Sequence, residues 1–127
     1  ENSPLLISQA VESGYEVEVD VWVLSNKIFL GHDRPEYETD ISFLKRLPLW
    51  CHAKNIEALE FLLDNDLRCF WHDEDEYTLT TCNKIWTYPL KKVKKQSIIV
   101  CKSFEQTKKY YKENIYGICS DYVGLLK

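Results

Sequence analysis

The chain lacks any apolar run long enough to cross a bilayer, which excludes a helical membrane span. It has no internal repeat, no low-complexity tract and no Gly/Ser-rich linker, so a solenoid or a string of tethered modules is excluded as well. What remains is a single domain over residues 1–127, long enough to bury a core, with the 45% hydrophobic and 28% charged content of an ordinary globular fold. Positive charge is also short: 16 Lys and Arg against 20 Asp and Glu leave a net charge of -4, which argues against general affinity for nucleic-acid backbone. Closely spaced cysteine pairs are missing. The five cysteines, Cys51, Cys69, Cys82, Cys101 and Cys119, are odd in number and mostly set in apolar runs, which suits reduced, buried thiols in a cytoplasmic protein. A zinc set of Cys51, Cys69, Cys82 and His72 is disfavoured, because no Cys-x2-Cys pair exists and Cys51 faces away from His52 on one strand. No N-terminal signal or targeting segment is visible.

What is present is concentrated in residues 16–33. Strict alternation puts Glu16, Glu18 and Asp20 on one face of a strand and Val17, Val19 and Val21 on the other. Aligned carboxylates repel each other unless a cation or a cationic substrate sits between them. Ser25-Asn26-Lys27 reads as a turn, and Ile28 to Leu30 as the next strand, which delivers Gly31, His32 and Asp33 to its end. Two carboxylates and a histidine are expected to converge. The plainer reading of the same pattern is an edge hairpin with its acidic side in water.

Elsewhere, Ser3 and Pro4 open a helix whose apolar stripe is Leu5, Leu6, Ala10 and Val11, and Gly14 ends it. Residues 34–40 are polar and irregular, and residues 41–47 make at most two helical turns before Pro48. A strand over 49–54 sets Trp50, His52 and Lys54 on one face. The clearest helix runs over 56–65, with Ile56, Leu59, Leu62 and Leu63 on its stripe. A strand over 67–72 brings Phe70 and His72 to one face ahead of the acidic cluster 73–76. Residues 77–82 are ambiguous, and 84–88 form a strand. The basic run 91–95 is a solvated loop or a rim that attracts phosphate. A buried strand over 97–101, a helix capped by Ser103 and a last strand over 117–121 complete the chain. Strands separated in several places by helices imply a parallel sheet with right-handed crossovers.

The order Glu1-Asn2-Ser3, an amphipathic stretch to Gly14, Glu18-x-Asp20-Val21, then Gly31-His32-Asp33 resembles the front of the glycerophosphodiester phosphodiesterase family. That family runs from a His-Arg pair on its first strand through a Glu-Asn-Ser/Thr segment and a Glu-x-Asp strand to a His-Asp pair. The likeness is good over the first third of the chain and looser beyond. The His-Arg pair is absent from the chain, so an upstream His-Arg segment is expected in the natural protein. Added to seven strands, it makes the eight of a compact (β/α)8 TIM-type barrel, the fold the resemblance implies, with several helices shortened or missing. An open, incomplete barrel is the alternative.

Barrel enzymes carry their chemistry at the C-terminal ends of strands, where the sequence places Glu18, Asp20, His32, His52, Lys54, His72, Tyr88 and Asp121. By resemblance, Glu18 and Asp20 bind a divalent cation. The family's third carboxylate, two residues before a lysine, is matched here by His52 ahead of Lys54. Carboxylates at i and i+2 can share a small cation, Mg²⁺ or Ca²⁺ by the resemblance, and the imidazole shifts the set towards Mn²⁺ or Zn²⁺ or holds the cation more loosely. Lys54 matches the family's substrate-orienting lysine and would put charge on the phosphate. His32 matches the second histidine of the family motif, a general acid or base. Trp86 and Tyr88, with Trp50, are candidates for an apolar wall against the alcohol portion of a substrate. His72 with Asp73 and Glu74 is a weaker candidate for a second metal site or a rim contact. The function implied is metal-dependent hydrolysis of a small, glycerophosphodiester-like phosphodiester to a phosphomonoester and an alcohol, through attack by a neighbouring substrate hydroxyl. The alternative is a catalytically impaired phosphate- or anion-binding domain on the same barrel. The sequence leaves the diester, the metal and the oligomeric state open.

Overall fold

A computed structural model describes residues 2–126; Glu1 of the Glu-Asn-Ser segment lies outside them. The chain falls into two compact units, Glu1–His72 and Asp73–Lys127. Each has its own hydrogen-bonded sheet. Among the described residues no helix is long and apolar enough to cross a membrane.

The first unit runs α1 (Pro4–Glu12), β1 (Val17–Leu24), β2 (Lys27–Leu30), β3 (Tyr37–Thr39), α2 (Ile41–Arg46), β4 (Leu49–Ala53), α3 (Ile56–Asp64) and β5 (Cys69–Phe70). Its strand order is β3-β2-β1-β4-β5. The central strand β1 is parallel to β4, and β4 to β5, whereas β1–β2 and β2–β3 are antiparallel. Between the paired residues Leu24 and Lys27 stand only Ser25 and Asn26, with φ of 50° and 63°. Positive φ at both positions is the signature of a tight hairpin turn whose twist matches the flanking strands. Gly31 then allows a close fold-back, since a Cβ there would collide with the Arg34 carbonyl.

One face of this sheet is apolar. Val19, Val21, Ile28, Leu30, Leu49, Cys51, Ala53 and Cys69 pack with Ile7 of α1, Leu44 of α2, and Ala58 and Leu62 of α3. Period-2 alternation in β1 and β4 therefore delivers every second residue to the core and the rest to the opposite face. Asn55 locks α3 to the sheet. Its Oδ1 accepts from the Ala58 and Val23 N–H groups, and its Nδ2 donates to the Val23 carbonyl.

The second unit runs β6 (Tyr77–Leu79), β7 (Ile85–Thr87), β8 (Ser97–Val100), α4 (Phe104–Tyr111), β9 (Gly117–Cys119) and a 3-10 turn (Val123–Leu125). Its order is β6-β7-β8-β9, antiparallel at β6–β7 and parallel beyond. The segment β8–α4–β9 is a crossover unit whose helix is capped by Ser103 Oγ accepting from the Gln106 N–H. Ile99, Cys101 and Tyr110 form its small core.

The expected (β/α)8 TIM-type barrel is not formed. The strands belong to two mixed sheets, with antiparallel pairing at β1–β2, β2–β3 and β6–β7. The physical reason is connection length. A parallel crossover needs a dozen or more residues, and the two between Leu24 and Lys27 can only close a hairpin. The polar segment before α2 and the ambiguous one after residue 76 each supply a further short strand, β3 and β6.

Candidate metal centre

The face of β1 opposite the core carries Glu18, Asp20 and Trp22, and Glu16 stands just before the strand. In parallel register with it, β4 sets Trp50 beside Glu18 and His52 beside Asp20. Three of these side chains gather: Glu18, Asp20 and His52 each offer a ligand atom, all within 4.8 Å of one another. His52 Nδ1 is 3.1 Å from Asp20 Oδ1 and 4.0 Å from Glu18 Oε2. Among the described residues this is the one group of three or more His, Cys, Asp or Glu side chains drawn together in this way. The sets built on His72, Asp73 and Glu74, or on Cys51, Cys69, Cys82 and His72, take residues from both units.

Asp20 is only 3% exposed. Its Oδ2 accepts from Asn2 Nδ2 at 3.0 Å, and its backbone N–H donates to Asn2 Oδ1 at 2.8 Å. Its Oδ1 is buried with no hydrogen-bond partner of proper alignment. Burial pulls the Asp20 pKa upward. The proximity of His52, the Asn2 hydrogen bond and the nearby charges of His52 and Lys54 outweigh burial and hold the carboxyl below its ordinary range.

His52 is fixed on two sides. Its ring stacks on Phe70, its neighbour on β5, with centroids 4.9 Å apart and planes 17° from parallel. Its Nε2 lies 3.3 Å from the His72 carbonyl oxygen. A carbonyl only accepts, so this contact places a proton on Nε2. Where Nδ1 carries no proton, it presents a lone pair towards two carboxylates. Such a set is satisfied by a proton on Nδ1 or by a cation. The geometry suits a cation: two ligands at right angles on an ion with bonds of about 2.1 Å stand about 3 Å apart, and the Nδ1–Oδ1 separation is 3.1 Å. The imidazole held by a carbonyl through its other nitrogen is the usual arrangement of a metal-binding histidine. The residues present therefore fit a divalent ion, and two hard oxygens with one nitrogen suit Mn²⁺ or Zn²⁺ as well as Mg²⁺.

Lys54 follows β4. Its backbone N–H donates to the Val21 carbonyl at 2.9 Å, its side chain is half-buried, and its charge is felt at Asp20. His32 reaches β1 through its neighbour, since the Gly31 N–H donates to the Asp20 carbonyl at 3.1 Å. The His32 side chain itself is outside the group of three. It is 61% exposed, with Nδ1 2.9 Å from Asp33 Oδ1. Trp50 is buried and engaged elsewhere: its Nε1–H donates to Glu16 Oε1 at 3.0 Å, and the Arg68 guanidinium lies over its ring while pairing with Glu16 at 2.7 Å. Trp86 and Tyr88 belong to the second unit. Trp86 is 4% exposed on β7, and half-buried Tyr88 donates its backbone N–H to the Glu76 carbonyl. Asn2 is the participant that pattern reading gave no role. Its position in the Glu-Asn-Ser segment was the only signal, 18 residues from its partner.

Comparison with protein-family models, curated proteins and solved structures finds no match to this chain.

Proposed function

We propose that the chain is a metal-dependent phosphodiester hydrolase whose divalent cation is held by Glu18, Asp20 and His52. The observation that carries the reading is the convergence of these three side chains, with a buried Asp20 oxygen that has no aligned hydrogen-bond donor and stands 3.1 Å from His52 Nδ1. The resemblance of the Glu18-x-Asp20 and His32-Asp33 segments to glycerophosphodiester phosphodiesterases supplies the reaction class. When bound, the cation would supply positive charge for the non-bridging oxygens of the phosphate. Lys54, whose charge already reaches Asp20, would orient the same oxygens and offset charge that builds during displacement. His32 would exchange a proton with the attacking hydroxyl or the departing alkoxide. The substrate class is a small diester with a vicinal hydroxyl, and substrates lacking one should react poorly.

A second reading keeps the cation and an anionic ligand but no turnover. Its support is the exposure of His32 and its pairing with Asp33 outside the three-residue group. Hydrolysis of glycerophosphocholine and bis(p-nitrophenyl) phosphate by this chain and by a form extended upstream through the expected His-Arg segment, in Mg²⁺, Mn²⁺, Ca²⁺ or EDTA, separates the two. Turnover of glycerophosphocholine that needs metal and vanishes in His32→Ala is the expected result. Metal binding without turnover of either substrate would favour the second reading, and turnover undiminished in EDTA would contradict both.

A further inference from the structure

We propose that Asn2 is a positioning residue for the metal centre: its amide occupies one carboxylate oxygen of Asp20 and leaves the other as a single, aimed ligand atom. The inference rests on the metal-site reading above. Three observations carry it. Asn2 makes a two-armed contact, Nδ2–H donating to Asp20 Oδ2 at 3.0 Å and Oδ1 accepting from the Asp20 N–H at 2.8 Å. Both residues are buried, Asn2 at 9% exposure and Asp20 at 3%. The oxygen that Asn2 does not touch is the one left without an aligned donor, 3.1 Å from His52 Nδ1.

The arrangement needs a primary amide. Asn and Gln present a donor and an acceptor side by side on one plane at any pH, and the Asp20 N–H, which can only donate, fixes which end of the amide faces it. Asn2 also sits at φ 60°, a region in which asparagine is several-fold enriched among non-glycine residues. A link serving only to tie the N-terminal segment to β1 would be complete with the backbone arm alone. The second arm acts on the carboxylate, stopping it from turning both oxygens towards the ion and from rotating away from His52. Outer-shell partners of this kind typically change metal affinity by about 10–100-fold when removed.

The test is a calorimetric Mn²⁺ titration of the full chain, wild type against Asn2→Gly and Asn2→Asp, with melting curves in EDTA. Glycine accepts the positive φ without strain and removes only the amide. Aspartate keeps the shape and the arm to the Asp20 N–H and, when ionised, replaces the donor with an acceptor. Both variants are expected to bind Mn²⁺ about 10–100-fold more weakly, and the Co²⁺-loaded variants to show a shifted visible spectrum as Asp20 changes its mode of ligation. Affinity within about twofold of wild type in a variant that still melts cooperatively would overturn the inference and leave the metal site standing. If Asn2→Gly does not fold, Asn2→Asp decides alone by the same measures. If the wild type itself takes up no Mn²⁺, the metal-site reading fails and this inference fails with it.

Discussion

The first unit contains two histidine–aspartate pairs of nearly equal length, His52–Asp20 at 3.1 Å and His32–Asp33 at 2.9 Å. In the first, the side chains are 15% and 4% exposed; in the second, 61% and 93%. Water screens the outer pair and hydrates both partners. The inner pair has little access to solvent, so each oxygen and nitrogen must be answered by protein or by an ion. Asn2, Phe70 and the His72 carbonyl fix its members, and one oxygen is left over. Distance alone does not distinguish a site from a surface contact; burial with an unanswered ligand atom does.

The largest expected contrast comes from removing each aspartate. Asp20→Ala removes one of the three proposed ligands and strands the buried Asn2 amide. Mn²⁺ affinity should fall by on the order of 100-fold or more and stability by about 1–3 kcal/mol in chemical denaturation. Asp33→Ala should leave both nearly unchanged. Equal losses from the two substitutions would erase the distinction between the pairs.

The histidines sharpen it. His32→Ala should lower turnover by about 10²–10⁴-fold while leaving Mn²⁺ affinity unaltered, as a proton-transfer group outside the ligand set would. His52→Ala should lower affinity and turnover together. A His32 variant with weakened metal binding would move that side chain into the inner group.

The smallest effect at neutral pH lies on the other face of β4, where Cys51 is buried. Burial above all, then the neighbouring Cys69 thiol and Glu18, pushes its pKa from 9.0 up to about 12, against an opposing pull from Arg68. The folded chain therefore keeps its proton where the unfolded chain releases it. This contribution to stability is complete below pH 9 and declines as pH rises from 9 towards about 12. Native Cys51 should resist iodoacetamide at pH 8 and react on unfolding, a difference readable by mass spectrometry.

Much of the inner pair was legible in residue order, because period-2 alternation separates Val19 and Val21 from Glu18 and Asp20 and places His52 and Lys54 on one side of β4. The register that sets Asp20 against His52 was not, since nothing local in either strand specifies it. The Ser25-Asn26-Lys27 segment announces a turn, though Lys27 already pairs with Leu24 in β2, and a turn this short implies an antiparallel β2, which a count of strands alone does not show. In α1 the apolar residues Leu5 and Leu6 suggested the buried stripe, but Ile7 faces the core and both leucines are more than half exposed. The Asn2–Asp20 contact joins residues with no shared periodicity, so only three-dimensional packing reveals it.

The cation site is decided by a crystal of the full chain grown with Mn²⁺ and measured for anomalous scattering. One strong peak is expected, bonded to Asp20 Oδ1, a Glu18 carboxylate oxygen and His52 Nδ1, with Asn2 still holding Asp20 Oδ2. An empty site with Asp20 and His52 bridged by a proton, or a peak bound elsewhere, would contradict it.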